Sequence, residues 1–224
     1  MSAPYRISKL TKREKPLFVS LMSKAFAKDP LFLHVFGDSE IDRKARNSVT
    51  AFVSFMFDKS FMLNEEVWGL YENKNLLGVY TVEKPQPSRL QNITGGALLI
   101  GRLIPLFFQL SGKTLGRLNS YMRVTRSFAP KMAHHYLIMI GVNPENQGKG
   151  IGKALLQHLL HTVHTDNKSQ GVALDTENAE NVSLYRRFGF ALSGETQIDM
   201  VPVYCMFYQK KSSGNRDSEI SNYL

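Results

Sequence analysis

Leu137-Ile138-Met139-Ile140-Gly141-Val142, followed by Asn143-Pro144-Glu145-Asn146 and then Gln147-Gly148-Lys149-Gly150-Ile151-Gly152-Lys153-Ala154-Leu155-Leu156, is the stretch on which the fold turns. An apolar run ends at Asn143-Pro144, a glycine-rich turn follows, and leucines at helical spacing begin. That order brings bare backbone N–H groups to a helix N-terminus, where four donors lack intrahelical partners and the dipole favours an anion. Glycine lets a phosphate approach the backbone and adopts positive φ at little cost. The stretch reads as a pyrophosphate-binding loop.

Two familiar phosphate loops do not fit. A P-loop needs G-x-x-x-x-G-K-[ST], but Gln147 stands at the first glycine and Ala154 follows Lys153, so no hydroxyl is placed for magnesium. The dinucleotide fingerprint G-x-G-x-x-G would need glycine at Lys153. Gln147, Gly150 and Gly152 do fit Q-x-x-G-x-G after an apolar strand, and this spelling resembles the acetyl-CoA loop of the GNAT N-acetyltransferases. Downstream, Asn178 to Phe190 resembles the GNAT segment that ends in tyrosine, two variable residues, an apolar residue and Gly-Phe, here Tyr185-Arg186-Arg187-Phe188-Gly189-Phe190. Upstream, His134-His135-Tyr136-Leu137 is similar to a signature of the puromycin N-acetyltransferase-like branch, with His135 in place of the usual aromatic. The three blocks span roughly residues 134–193; the first 130 residues match by element order alone.

Composition sets outer bounds. A length of 224 residues suits one domain with a sizeable core, and 43% apolar residues argue against wholesale disorder. The lone cysteine, Cys205, lies in a strand-like run and reads as a buried structural thiol in a reducing compartment. No apolar h-region opens the chain, so a cytoplasmic location is expected. The apolar run Ala97 to Leu110 is shorter than the ~20 residues of a bilayer span and is interrupted by Arg102 and Pro105; a buried or interfacial helix is expected there. A net charge of +9 admits phosphate-bearing ligands, but the basic residues are mixed with acids and lack the aromatic interleaving of single-strand nucleic-acid binders. Neither nucleic acid nor a membrane span is expected, and a homodimer is left open.

Periodicity predicts a strand from Tyr5 to Leu10 and a helix capped by Thr11 that buries Leu17, Phe18, Leu21, Met22 and Phe26. Asp29-Pro30 ends that helix, and a second runs from about Ile41 to Met62. A hairpin turns at Asn73-Lys74-Asn75, residues 85–133 form a helix-rich connection, and a helix runs from Gly150 to about Thr165. His158, His161 and His164 fall on its polar face; their spacing drifts round the helix, so a solvated face is preferred to a zinc site. A single domain is expected over residues 1–210, with a polar, fraying tail at 211–224.

The resemblance implies an α/β fold, with a GNAT-like mixed β-sheet flanked by helices and two central strands splayed to admit pantetheine. It implies acetyl-CoA as cosubstrate, gripped by Ile140, Gly141, Val142, Gln147, Gly148, Lys149, Gly150, Ile151, Gly152 and Lys153, with Asn181 and Tyr185 beside the arm. It further implies Tyr185 as general acid, while His134 is taken as the base and Glu177 as its rival. Adjacent strand residues face opposite sides, so only one of His134 and His135 can line the cleft. Phe107, Phe108, Tyr121 and Phe128 suggest a partly hydrophobic acceptor pocket. The expected function is acetyl-CoA-dependent acetylation of a primary amine of a small molecule by direct transfer in a ternary complex. The alternative is a non-catalytic acyl-CoA-binding or sensor protein.

Overall fold

A computed structural model describes residues 5–85 and 109–211. Seven strands form one sheet in the order β1-β2-β3-β4-β5-β7-β6. They are β1 (Arg6–Lys9), β2 (Glu66–Glu72), β3 (Asn75–Glu83), β4 (His135–Val142), β5 (Gly171–Thr176), β6 (Ala191–Ile198) and β7 (Val201–Gln209). Only β4 and β5 run parallel, and they are joined across the sheet by a helix, as a parallel connection requires. The helices are α1 (Lys15–Ala25), α2 (Pro30–Phe36), α3 (Arg43–Met62), α4 (Gly112–Ser127), α5 (Ile151–Thr165) and α6 (Ala179–Arg187). This is the mixed α/β architecture expected from the sequence.

Each face of the sheet carries its own core. On one, Ile151, Leu155, Leu156, Leu159 and Val163 of α5 pack on Leu70, Tyr80, Val82, Leu137, Val172 and Leu174. On the other, Phe18 and Met22 of α1 and Val49, Val53 and Phe57 of α3 pack on Val67, Val79 and Met139. Leu17 departs from the expected α1 face and is 48% exposed. The helix turns inward through Phe18, Leu21 and Met22, and Leu17 lies about 100° round from Phe18. Gly141 of β4 lets α1 approach, because a Cβ there would stand 2.7 Å from Met22 Sδ and 3.0 Å from Ala25 Cβ. Asp29 ends α1's neighbourhood by capping α2, accepting from Leu31 N at 3.0 Å and Phe32 N at 3.1 Å. The sequence reading had no helix at 30–36.

The helix predicted from Gly150 begins at Ile151, with Gly150 as its left-handed N-cap at φ +80°. Its histidines are not simply solvated: His158 Nδ1 lies 2.8 Å from Tyr80 Oη, and His164 Nε2 lies 2.7 Å from Tyr208 Oη. Among the described residues no helix is long and apolar enough to cross a membrane. Residues 97–108 of the apolar run, including Phe107 and Phe108, and residues 212–224 of the tail lie outside the described residues. Cys205 is buried on β7, its Sγ 3.9 Å from Thr125 O, and burial pushes its thiol pKa up to about 12.

His135 ties the start of β4 to the turn before β5. Its Nδ1 lies 2.8 Å from Ser169 Oγ, whose hydroxyl donates to Gly171 O at 2.9 Å. Asp166 stands 3.6 Å from Nε2, so a serine, a histidine and an aspartate meet, but the serine is 3% exposed and committed to backbone. The trio is a clamp, not a nucleophile. Burial holds His135 below the ordinary histidine value of 6.5, so its contribution to stability is present above 6.5 and lost as pH falls below it. His135→Gln is therefore expected to cost about 1–3 kcal/mol at pH 7.5 and clearly less at pH 5.5, measured by urea unfolding. An equal cost at both values would contradict the clamp.

Candidate active site

The site begins where β4 leaves β5. Their pairing runs His135↔Val172, Tyr136↔Ala173 and Leu137↔Leu174, and there it stops. At the same point β4 carries a bulge, since Thr81 and Val82 of β3 oppose Met139 and Leu137, leaving Ile138 as the extra residue. A bulge bends its strand and raises local twist, which separates β4 from β5 beyond Leu137. Past the bulge, Asn143 N–H donates to Leu77 O at 2.9 Å on the β3 side. Alternation along the strand then aims Gly141 at β3 and aims the N–H and C=O groups of Ile140 and Val142 into the gap. Ile140 and Val142 thus offer an extended chain a strand edge inside the protein. Gly141 serves helix packing.

The loop at the mouth of the gap is built for an anion. Pro144–Asn146 form a 3-10 turn held by Asn146 N–H to Asn143 O at 2.8 Å. Gly148 and Gly150 then adopt φ +78° and +80°, and nothing stands within 4 Å of a Cβ at either. Gln147, Gly148, Lys149 and Gly150 are exposed. The first N–H groups of α5, at Ile151, Gly152 and Lys153, have no intrahelical acceptor by construction. A diphosphate and an amide-bearing arm both find donors here, so the residues present fit coenzyme A.

Below the gap lies a cavity of about 150 Å³. One wall is apolar, from Phe26, Phe32, Phe52, Met56, Leu118 and Met122; the floor carries Asp29, Asp175, Glu177, Tyr121, Tyr136 and Tyr185. Asp175 is the next-to-last residue of β5 and Glu177 follows the strand directly, with Thr176 between them. Tyr121 of α4 bonds Asp175 Oδ2 and Glu177 Oε1, and Tyr136 bonds Asp175 Oδ1. A phenol has one proton to donate, so satisfying both Tyr121 contacts requires a proton on one of the two carboxyls. Burial, with the charges of Asp29 and Asp175 nearby, raises Glu177 to about 8. Burial raises Asp175 and Asp29 as well. Arg126 lies 3.7 Å above the Tyr136 ring and bonds Glu83 at 2.7 Å.

Tyr185 of α6 has its ring in the core, 5.6 Å from that of Phe190, and its residue is 6% exposed. Its hydroxyl has no hydrogen bond among the described residues and borders the cavity. Burial, reinforced by the charges of Asp175 and Glu177, pushes its pKa upward, so it stays protonated. Asn181, one turn earlier, borders the same cavity and donates from Nδ2 to Thr176 Oγ1 at 3.3 Å.

His134, expected to be the base, stands elsewhere. It precedes β4, its Nδ1 lies 2.7 Å from Met132 O, its ring meets Phe207 edge-on at 5.9 Å, and it does not line the cavity. His135 points away from the cavity into its clamp. Glu177, just past the β5 terminus, does line the cavity, because strand ends, not strand starts, open onto the gap. Tyr121 lines the cavity as expected of an acceptor-pocket residue, whereas Asp29 and Asp175 were not expected as site residues. Nothing local in sequence joins residues 29, 121 and 175, although an acidic pair at the end of a buried strand was a usable signal.

Residues 114–192 match the family model described as an acetyltransferase (GNAT) domain. Among solved structures, the chain is similar to one described as histone acetyltransferase HPA2 and related acetyltransferase from Corynebacterium glutamicum. The TM-score is 0.67 at 20% identity, covering 95% of this chain and 99% of that one. It is also similar to the PaiA N-acetyltransferase of Thermoplasma acidophilum in complex with coenzyme A (TM-score 0.56, 12% identity, 92% and 99% covered). A third is the ribosomal-protein-S18-alanine N-acetyltransferase of Escherichia coli (TM-score 0.54, 15% identity, 95% and 98% covered). A curated relative, a probable serine/threonine-protein kinase of Dictyostelium discoideum, is 24% identical over 203 residues, covering 84% of this chain. The chain spans about a fifth (21%) of that protein's length.

A carboxyl raised to about 8 contributes stability that is full below its ordinary value of 4.5 and lost as pH rises through 8. Glu177→Gln, which fixes the neutral form, is therefore expected to stabilise the fold by on the order of 3 kcal/mol at pH 9 and by little at pH 5. Thermal unfolding at both values checks this; a gain that does not grow with pH would refute the buried-carboxyl assignment.

Proposed function

We propose that this chain, which carries a GNAT acetyltransferase domain, moves the acetyl group of acetyl-CoA to a primary amine of a small molecule by direct transfer in a ternary complex. The observation that carries the reading is the separation of β4 from β5 beside the glycine loop, with Tyr185 and Glu177 facing one cavity behind it. When bound, acetyl-CoA supplies an activated acyl carbon and a thiolate leaving group. Ile140 and Val142 would bond the amides of its arm, and the N–H groups around Gly148, Gly150, Ile151, Gly152 and Lys153 would hold its diphosphate. Gln147, Lys149 and Asn181 flank that path. The His134–Leu137 signature supports a place in the puromycin N-acetyltransferase-like branch.

Glu177 takes the role of base in place of His134. Moving a proton from an alkylammonium, pKa about 10.4, to a carboxylate at its ordinary value costs roughly 8 kcal/mol. To Glu177 at about 8 it costs roughly 3. Docking of the cation itself restores the ionised carboxylate. Tyr185 is the donor to the departing sulfur. Since its pKa lies above that of a thiol, full transfer of the proton is uphill, and the hydroxyl works chiefly by hydrogen-bonding the developing thiolate.

A silent acyl-CoA sensor would keep the loop and be indifferent to the loss of the Tyr185 hydroxyl. For the enzyme, Tyr185→Phe is expected to lower kcat by about 100-fold with any active amine, followed by thiol release. Equal rates would remove Tyr185 from the chemistry. Activity as kcat/KM is expected to rise with pH through about 8, the value of Glu177, and to fall again near the pKa of the amine. A rise centred near 6.5 would point back to a histidine. Gly150→Glu places a carboxylate at the phosphate donors and is expected to abolish coenzyme A binding by calorimetry while circular dichroism stays that of the wild type.

A further inference from the structure

We propose that the acceptor is a cationic primary amine with an apolar body and no carboxylate of its own, its ammonium seated between Glu177 and Asp29. This rests on the acetyltransferase reading above and narrows it to a substrate class. The chain carries a net charge of +9, yet its cavity is acidic, with Asp29, Asp175 and Glu177 on one floor. Among the described residues the two cations that also border it are committed elsewhere: Lys59 pairs with Glu65, and Arg126 pairs with Glu83 while lying over Tyr136. Asp175 is satisfied by two tyrosine hydroxyls. Asp29 spends only Oδ1 on the α2 cap, and its Oδ2 makes no hydrogen bond among the described residues. Glu177 and the second oxygen of Asp29 are therefore the acceptors left for a ligand.

A second feature of the same cavity places the reacting end of the ligand. The Tyr185 hydroxyl, on a residue only 6% exposed, borders the cavity with no protein partner among the described residues. The hydroxyl opens onto the cavity with its hydrogen-bonding capacity unspent by protein, so a polar atom of a bound molecule can be met there.

The opposite wall sets the rest of the ligand. Phe26 and Phe32 stand 4.8 Å apart, Phe32 and Phe52 5.8 Å apart, and Met56 and Leu118 complete an apolar surface. A ring or a short alkyl chain fits a cavity of about 150 Å³; a folded protein chain does not. An α-amino acid would bring a carboxylate into a poorly screened space already lined by three acidic side chains, at least one of them ionised once the ammonium is seated. Like-charge contact of that kind costs several kcal/mol, which converts to a discrimination of at least about 100-fold.

The test uses a matched set on the intact protein: 2-phenylethylamine, phenylalanine and 2-phenylethanol, with hexylamine for an aliphatic body. Binding is measured by calorimetry with and without acetyl-CoA, and acetylation by mass spectrometry. The two amines are expected to bind and to be acetylated, and phenylalanine and the alcohol to bind at least about 100-fold more weakly. Asp29→Asn keeps the α2 cap, since asparagine caps as well as aspartate, and is expected to weaken amine binding at least about 10-fold while improving phenylalanine relative to the amine. Phenylalanine or the alcohol binding as tightly as the amine, or no binding by either amine, overturns the proposal. If acetyl-CoA binds and its acetyl group moves only to carboxylate-bearing amines, the substrate class fails and the transferase reading stands. If coenzyme A does not bind at all, the transferase reading fails on its own.

Discussion

Three residue pairs hold β4 to β5, and the loss of a fourth is the constraint from which the site follows. The extra residue at Ile138 diverts β4 one step after Leu137 pairs with Leu174. Beyond that step two strands that would otherwise satisfy each other leave backbone donors and acceptors directed at empty width. A sheet interior tolerates this only if something else fills the hydrogen bonds. The cost is contained because β4 stays paired with β3 on both sides of the bulge, and because each sheet face has a dense helical layer. The strand can diverge on one side without the fold losing its core.

The same divergence explains the electrostatics. Asp175 and Glu177 lie beyond the last β4–β5 pair, buried and, among the described residues, without an ion-pair partner. Tyr121 and Tyr136 supply neutral O–H groups in place of cations, so the carboxyls are held in position while their pKa values stay high. An arginine in the position of Tyr121 would have held them equally well and left them inert at neutral pH. Soft partners preserve reactivity that a salt bridge would remove.

The glycine loop, the strand before it and the helix after it were legible because their signals are local: spacing of Gln147, Gly150 and Gly152, and leucines at helical intervals. Tyr185 was legible for the same reason, as part of a short segment. The base was not. His134 sits next to a strong signature, and proximity in sequence favoured it, whereas its ring is spent on Met132 O and Phe207. Glu177 became apparent as a rival only from its place after a strand; its raised pKa depends on Asp29, Asp175 and Tyr121, which tertiary packing alone brings together. Helix α2 escaped notice because Asp29-Pro30, a break for the helix before, is also a cap and first turn for the helix after.

Cys205 is the sole cysteine, packed under Thr125 with its thiol held almost entirely in the protonated form. Disulfide exchange and alkylation proceed through the thiolate, so the native chain is nearly mute toward reagents that colour free sulfhydryls. Any yellow that such a reagent develops during turnover belongs to the departing cofactor. The chain adds its own single equivalent only on denaturation, which gives the folded state an intrinsic reporter at β7.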